Sequence, residues 1–316
     1  MRYCRLALTS LALVFLFNNG HAQTPEAAKR YFQQGVKNLA EGNLAVAFED
    51  YSRAIEISSR LDSRKITASG GFTITELNST DEADRVRVID PFTAVAYCNR
   101  GIVRNRQRDL DGAISDFNAA LRINPRLAEA YLGRGVTYRF KGEFDKAIAD
   151  FDRALSLNDR FAEARIDRAD LRLDRGDLDG ALKDLEVALK LAPRIAEVHY
   201  LLGYVAMGKK QYQQALPFFD RALELKPTLA QAYEGRGTVR FQLGRFDDAI
   251  DDFNRSLEIN PQMVNAYLNR GLALLMKHDD ANAQKDFDTC LALNPTLQAE
   301  LKNRAELARE LRNVKH

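Results

Sequence analysis

From Ala28 onward the chain repeats itself every 34 residues, and a period of that length admits few architectures. Units begin at Ala94, Ala128, Ala162, Ala196, Ala230 and Val264, each 34 residues after the last, and another begins at Ala28. The eighth place of each unit is small: Gly35, Gly101, Gly135, Ala169, Gly203, Gly237 and Gly271. The twentieth is Ala47, Ala113, Ala147, Ala181, Ala215, Ala249 and Ala283. The twenty-fourth is Tyr51, Phe117, Phe151, Leu185, Phe219, Phe253 and Phe287, and the twenty-seventh is small again, from Ala54 to Ser256 and Cys290. Pro125, Pro193, Pro227, Pro261 and Pro295 stand near the unit ends. Small residues at fixed offsets let two helix backbones approach closely. A ring in the remaining gap is worth about 1.5–3 kcal/mol when buried. Proline lacks an N–H and disfavours helix in the residue before it, so it ends each hairpin. No unit of this size buries its own apolar faces, and stacking of neighbours does so instead.

Tyr97, Tyr131, Tyr233 and Tyr267 in the fourth place complete the pattern, although Arg165 and His199 replace the aromatic in units four and five. Aromatic, Gly, Ala, Phe, Ala and Pro at these offsets resemble the tetratricopeptide repeat. The resemblance implies an all-α fold, a right-handed superhelical solenoid of helix-turn-helix repeats. The repeats fall at 28–61, 94–127, 128–161, 162–195, 196–229, 230–263 and 264–297, within one solenoid domain at 23–316. Residues 62–93 form a non-repeat insertion. Its alternating runs Phe72–Thr75 and Arg85–Val88 fit either a small hairpin or a solvated loop. Thr24-Pro25-Glu26 reads as a helix start, and residues 298–316 read as a polar-faced capping helix.

Residues 1–22 form a different kind of segment. Arg2 and Arg5 precede an uncharged run from Leu6 to Phe17, and Gly20-His21-Ala22 places small residues before Gln23. This is the pattern of a secretory signal peptide cleaved after Ala22. A membrane anchor is the alternative, but the run is short of the ~20 residues that span a bilayer. Without this segment the chain has 44 basic and 44 acidic residues. An exported, periplasmic or secreted protein is therefore expected. The balanced charge argues against nucleic acid as a partner, which needs a basic stripe. Cys98 and Cys290 lie 192 positions apart, too far in an extended array for a disulfide. No His or Cys stands at ligand spacing to another, and no phosphate-cradling glycine loop or nucleophile elbow is present, so neither metal nor cofactor is expected. His199 is expected in the core and Cys290 as an inert buried thiol. Arg100, Arg104, Arg106 and Arg108 read as a solvated face.

Two sets of residues stand out. In unit four, with Glu163 at zero on a helical wheel, Asp167, Asp170 and Asp174 fall at roughly 40°, −20° and 20°. Arg165, Arg168, Arg172 and Arg175 fall on the opposite side. The resemblance implies that second, fifth, ninth and twelfth places line a concave groove. That assigns the groove to Glu163 and Asp170 with Asp167 and Asp174 beside them. Tyr200, Leu201, Tyr204 and Met207 follow, then Phe241, Leu268, Leu272 and Leu275. An acidic centre with an apolar flank fits a protein segment carrying apolar and basic residues, unless the insertion or the last helix covers it. Relatives that hold a chaperone's C-terminal carboxylate present Lys, Arg and Asn there, so that role is disfavoured. A non-enzymatic adaptor is expected, with a subunit of an envelope assembly as the alternative. A glycan-acting enzyme using Asp167 and Asp170 is the remote reading, because such a pair needs one raised pKa in an apolar pocket.

The second set is structural. The seventh place holds Arg100, Arg134, Arg168, Arg236 and Arg270, and the twenty-third holds Asp116, Asp150, Asp184, Asp252 and Asp286. In unit five both change together, to Leu202 and Phe218. Paired switching predicts five ion pairs between the two helices of a hairpin, and one apolar equivalent.

Overall fold

The computed structural model describes residues 26–59 and 91–314. The expected leader, its cleavage point, the helix start at Thr24 and most of the 62–93 insertion lie outside them. Among the described residues there are fifteen α-helices and no strands. Repeat one is α1 (Glu26–Ala40) and α2 (Leu44–Ser59). Repeat two is α3 (Pro91–Arg106) and α4 (Leu110–Ile123), which takes Pro91, Phe92 and Thr93 from the expected insertion into helix. Repeats three to seven are α5 (Ala128–Phe140) and α6 (Phe144–Leu157), α7 (Ala162–Asp174) and α8 (Leu178–Leu191), α9 (Ala196–Gly208) and α10 (Tyr212–Leu225), α11 (Ala230–Gln242) and α12 (Phe246–Ile259), and α13 (Val264–Met276) and α14 (Asp280–Leu293). One 3-10 turn at Pro295–Leu297 leads into α15 (Gln298–Val314). The described residues fall into two compact units, one ending at Asp167 and the other beginning at Arg168, so the division lies within α7.

The period is explained by contacts inside each hairpin. A Cβ built on the eighth-place glycines would stand 2.5–3.0 Å from the twenty-fourth-place ring: Gly35 on Tyr51, Gly101 on Phe117, Gly135 on Phe151, Gly203 on Phe219, Gly237 on Phe253 and Gly271 on Phe287. Those rings are at most 2 % exposed. Gly133 and Gly235, in the sixth place, meet Phe117 and Phe219 of the preceding repeat, where an added Cβ would stand 2.5 Å away. The same ring therefore seats one hairpin and its junction with the next. Between the helices the fifteenth place is left-handed in all seven repeats. Gly42, Gly142, Gly176 and Gly244 fill it in four, and Arg108, Lys210 and His278 fill it at φ 66, 60 and 63. Asp109, Asp177 and Asp279 cap the helices that follow, accepting from the N–H of Gly112, Gly180 and Asn282. At the repeat ends the side chains of Asn124, Asn158, Asn260 and Asn294 accept from the N–H two residues on.

Candidate partner-binding surface

Each Arg–Asp couple meets across its own hairpin. The shortest N–O distances are 2.7 Å for Arg100–Asp116, 2.8 Å for Arg134–Asp150, 2.5 Å for Arg168–Asp184, 2.7 Å for Arg236–Asp252 and 2.6 Å for Arg270–Asp286. Four are side-on forks, with Nε and Nη2 donating to the two carboxylate oxygens. The Asp side chains are 2–8 % exposed and the Arg side chains 14–22 %. Three carboxylates hold a second guanidinium from the eleventh place: Arg104 on Asp116, Arg172 on Asp184 and Arg240 on Asp252. The paired switch did not reveal that repeat one keeps a version of this clamp, in which Asn38 donates to Asp50 at 2.8 Å. Nor did it reveal that the clamp reaches outward. Nη1 of Arg100, Arg134, Arg236 and Arg270 also donates to Ser52, Asn118, Asp220 and Asn254, in the twenty-fifth place of the preceding repeat. Burial acts to lower the pKa of Arg236, but its hydrogen bonds to Asp252 and Asp220 outweigh burial and raise it. Tyr97, Tyr131, Tyr233 and Tyr267 lie 5.2–5.5 Å beneath the clamp guanidiniums.

The expected cluster of Arg100, Arg104, Arg106 and Arg108 is therefore not a solvated face. Arg100 and Arg104 hold Asp116, Arg106 donates to the Leu39 carbonyl at 3.1 Å, and Arg108 alone is exposed, over the Phe140 ring. Likewise Arg168 and Arg172 hold Asp184, and Arg165 donates to the Asp159 carbonyl.

The expected acidic face of α7 also needs correction. Asp174 is exposed and Glu163 half-buried, but Asp167 and Asp170 are 2 % and 4 % exposed. Asp167 lies 3.5 Å from the Arg139 guanidinium, which is itself buried. The wheel places the four carboxylates on one side of the helix. Part of that side, however, is the contact with a neighbouring first helix.

Tyr200 and Tyr204 are corrected in the same way, at 7 % and 5 % exposed. Their rings meet edge to face at 5.9 Å, and Tyr204 stands edge-on to Phe219 at 5.4 Å. The Tyr204 hydroxyl donates to Glu234 Oε2 at 2.6 Å. Glu234 Oε1 accepts from the Thr238 hydroxyl and the Asn269 amide, and the Asn269 carbonyl accepts from Arg304 at 2.9 Å. This polar chain links α9, α11, α13 and α15 and uses the groove places of repeats five and six as joints. Leu268 and Leu272 are buried because α15 covers them: they share one cluster with Leu275 and with Leu301, Ala305 and Ala308. Of the expected contact residues in the second unit, Met207 and Phe241 remain half-buried, in the twelfth places of repeats five and six. His199 is 9 % exposed, with Nε2 donating to the Pro193 carbonyl at 2.9 Å. Cys98 and Cys290 are buried free thiols, and burial pushes the Cys98 thiol well above its usual pKa. Among the described residues no helix is long and apolar enough to cross a membrane.

Family models described as tetratricopeptide repeat match residues 94–127, 128–161, 166–230 and 230–263, together more than half of the chain. The chain is a tetratricopeptide repeat protein. Repeats one and seven lie outside those matches, yet they carry the same glycine-on-ring contacts, Gly35 on Tyr51 and Gly271 on Phe287. Among solved structures, a tetratricopeptide repeat protein from Parabacteroides merdae matches with TM-score 0.60 and 18% identity, over 90% of this chain and 99% of its own. The Cut9–Hcn1 hetero-tetramer of the APC/C matches with TM-score 0.64 and 22% identity, over 86% of this chain and 49% of its own. A Pseudomonas aeruginosa pilF structure matches with TM-score 0.57 and 18% identity, over 71% of this chain and 97% of its own. At these identities the likeness is one of fold. No curated protein matches.

Proposed function

We propose that this tetratricopeptide repeat protein is a non-enzymatic scaffold, and that a segment of a partner protein docks on the inner side of its second unit. The observation that carries the reading is where accessible apolar surface remains once the polar chain and α15 are in place. Met207 and Phe241 are half-buried, and on α15 Leu307 and Leu311 are 54 % and 50 % exposed. Leu307 and Leu311 lie one turn apart, and Arg304, one turn before Leu307, is the residue that α15 sends to Asn269 on the inner polar chain. Apolar side chains left exposed beside a polar rim are the usual mark of a contact surface. Tyr200 and Tyr204 then hold the wall in shape, and Asp174 is the one exposed acid of the expected set in this unit. The glycan-acting reading loses its open carboxylate face, since Asp167 is engaged by Arg139.

A photo-crosslinking residue at Phe241 or Leu307 of the full chain, expressed in its own cells, tests the docking site. A discrete protein adduct at both positions and none at the exposed Phe144 is expected. Adducts at Phe144 alone would move the site. The leader further suggests export, with the adaptor acting outside the cytoplasm either alone or as a subunit of an envelope assembly. N-terminal sequencing should then find Gln23 first, and retained Met1 would refute cleavage.

A further inference from the structure

The ends of the second helices carry different charge in different repeats. Places twenty-six, twenty-nine and thirty-three follow one another along the last turns of that helix and the bend after it. In repeat two they are Ala119, Arg122 and Arg126, and in repeat three Arg153, Ser156 and Arg160. All four arginines are exposed. Among the described residues none lies within ion-pair distance of a carboxylate, and Arg153 reaches the Ser156 hydroxyl and the Tyr131 ring. The neighbouring acids in sequence are Asp152 and Asp159. In repeats five and six the same places are neutralised. Arg221 pairs with Glu224 at 2.7 Å, Arg255 pairs with Glu258 at 2.7 Å, and the thirty-third places are Thr228 and Gln262. Repeat seven carries no charge there, with Thr289, Ala292 and Thr296.

Fold maintenance does not account for the difference, because the basic repeats two and three and the neutralised repeat six end in the same Asn-capped bend. An unpaired guanidinium fork is shaped for planar anions, carboxylate above all in a protein partner. Nucleic acid is the poorer fit. The whole chain carries a net charge of only +2, and duplex binders commonly make ~6–10 phosphate contacts. A membrane surface is also the poorer fit, because the exposed large apolar residues Val46, Phe144, Leu307 and Leu311 all lie outside these two segments.

We propose that the second-helix ends and following bends of repeats two and three form a docking edge for an acidic segment of a partner protein, read by Arg122, Arg126, Arg153 and Arg160. This edge lies in the first unit and does not depend on the inner-side site proposed above. Exposed charge pairs contribute mainly to association rate and to salt sensitivity, so the edge captures and orients a partner more than it holds one.

The full chain is titrated into a labelled peptide of alternating Glu and Gly, followed by fluorescence anisotropy at about 50 and 200 mM salt. Binding that tightens at low salt is expected. It should weaken about tenfold in Arg122→Gln/Arg126→Gln/Arg153→Gln/Arg160→Gln and stay unchanged in Arg221→Gln/Arg255→Gln. The pair Arg126→Gln/Arg160→Gln should lie between, which guards against a folding defect in the fourfold variant. Salt-independent or absent binding, or equal loss in the Arg221/Arg255 variant, would overturn the proposal. Tighter capture of oligothymidine or of phosphatidylglycerol vesicles through the same four arginines would overturn the partner class.

Discussion

Repeats five and six are neighbours in the second unit, and the same fold rests on opposite chemistry in each. Both seat a glycine against a ring, with built Cβ distances of 2.8 Å for Gly203 on Phe219 and 2.9 Å for Gly237 on Phe253. In repeat six the gap beside that contact is filled by Asp252 with Arg236, Arg240 and the Tyr233 ring. In repeat five the matching residues are Phe218, Leu202, Ala206 and His199, with Leu202 4 % exposed. Helix α9 is accordingly the most thoroughly buried of the first helices, from Val198 through Ala206 without a break. The hairpin geometry therefore comes from the small-residue and ring contacts. The flanking site holds a satisfied ion cluster in repeat six and apolar side chains in repeat five.

Three results would break or sharpen that contrast. The largest should come from Asp252→Ala, which leaves two guanidiniums facing a site that is otherwise closed. A loss of about 3–5 kcal/mol is expected, against under about 1.5 kcal/mol for Arg236→Leu/Arg240→Ala/Asp252→Phe, which copies repeat five. Hydrogen exchange over α11 and α12 reads both locally. Next come the turns, where repeat five has Lys210 at φ 60 and repeat six has Gly244 at φ 76. Lys210→Gly should stabilise and Gly244→Ala should destabilise, each by about 1 kcal/mol, measured by thermal unfolding. The smallest effect is a pH dependence. The hydrogen bond from Lys209 at 2.7 Å holds the Asp179 carboxyl below its ordinary pKa. A lowered folded value means that the stabilisation is full above the unfolded carboxylate pKa of about 4 and is lost as pH falls through the folded value. Lys209→Met should remove that part of the acid dependence, as seen in unfolding between about pH 5 and 2.

The repeat boundaries, the hairpins and the five Arg–Asp couples were legible because each recurs at one spacing. The inner side was less legible. Places such as those of Asp167, Asp170, Tyr200 and Tyr204 point away from their own second helix, which the wheel reports correctly. Whether a neighbouring first helix then covers them depends on how closely the hairpins stack, and no single unit encodes that. Leu268 and Leu272 read as open groove because the residues that bury them, Leu301, Ala305 and Ala308, lie on a helix outside the period. Those three places on α15 stand at i, i+4 and i+7, one side of the helix. The Asn38–Asp50 clamp escaped notice because Asn in the eleventh place had replaced Arg in the seventh.

The most direct test moves the ion cluster of repeat six into repeat five. Leu202→Arg and Phe218→Asp each place one charge in a site built for apolar side chains, and each should cost about 3 kcal/mol or more. The double variant Leu202→Arg/Phe218→Asp should recover most of that loss in a double-mutant cycle followed by urea unfolding and by hydrogen exchange over α9 and α10. Recovery of about 2 kcal/mol or more is the predicted result. A double variant no more stable than the sum of its singles would contradict the account, because the two sites would then not be alternative fillings of one gap.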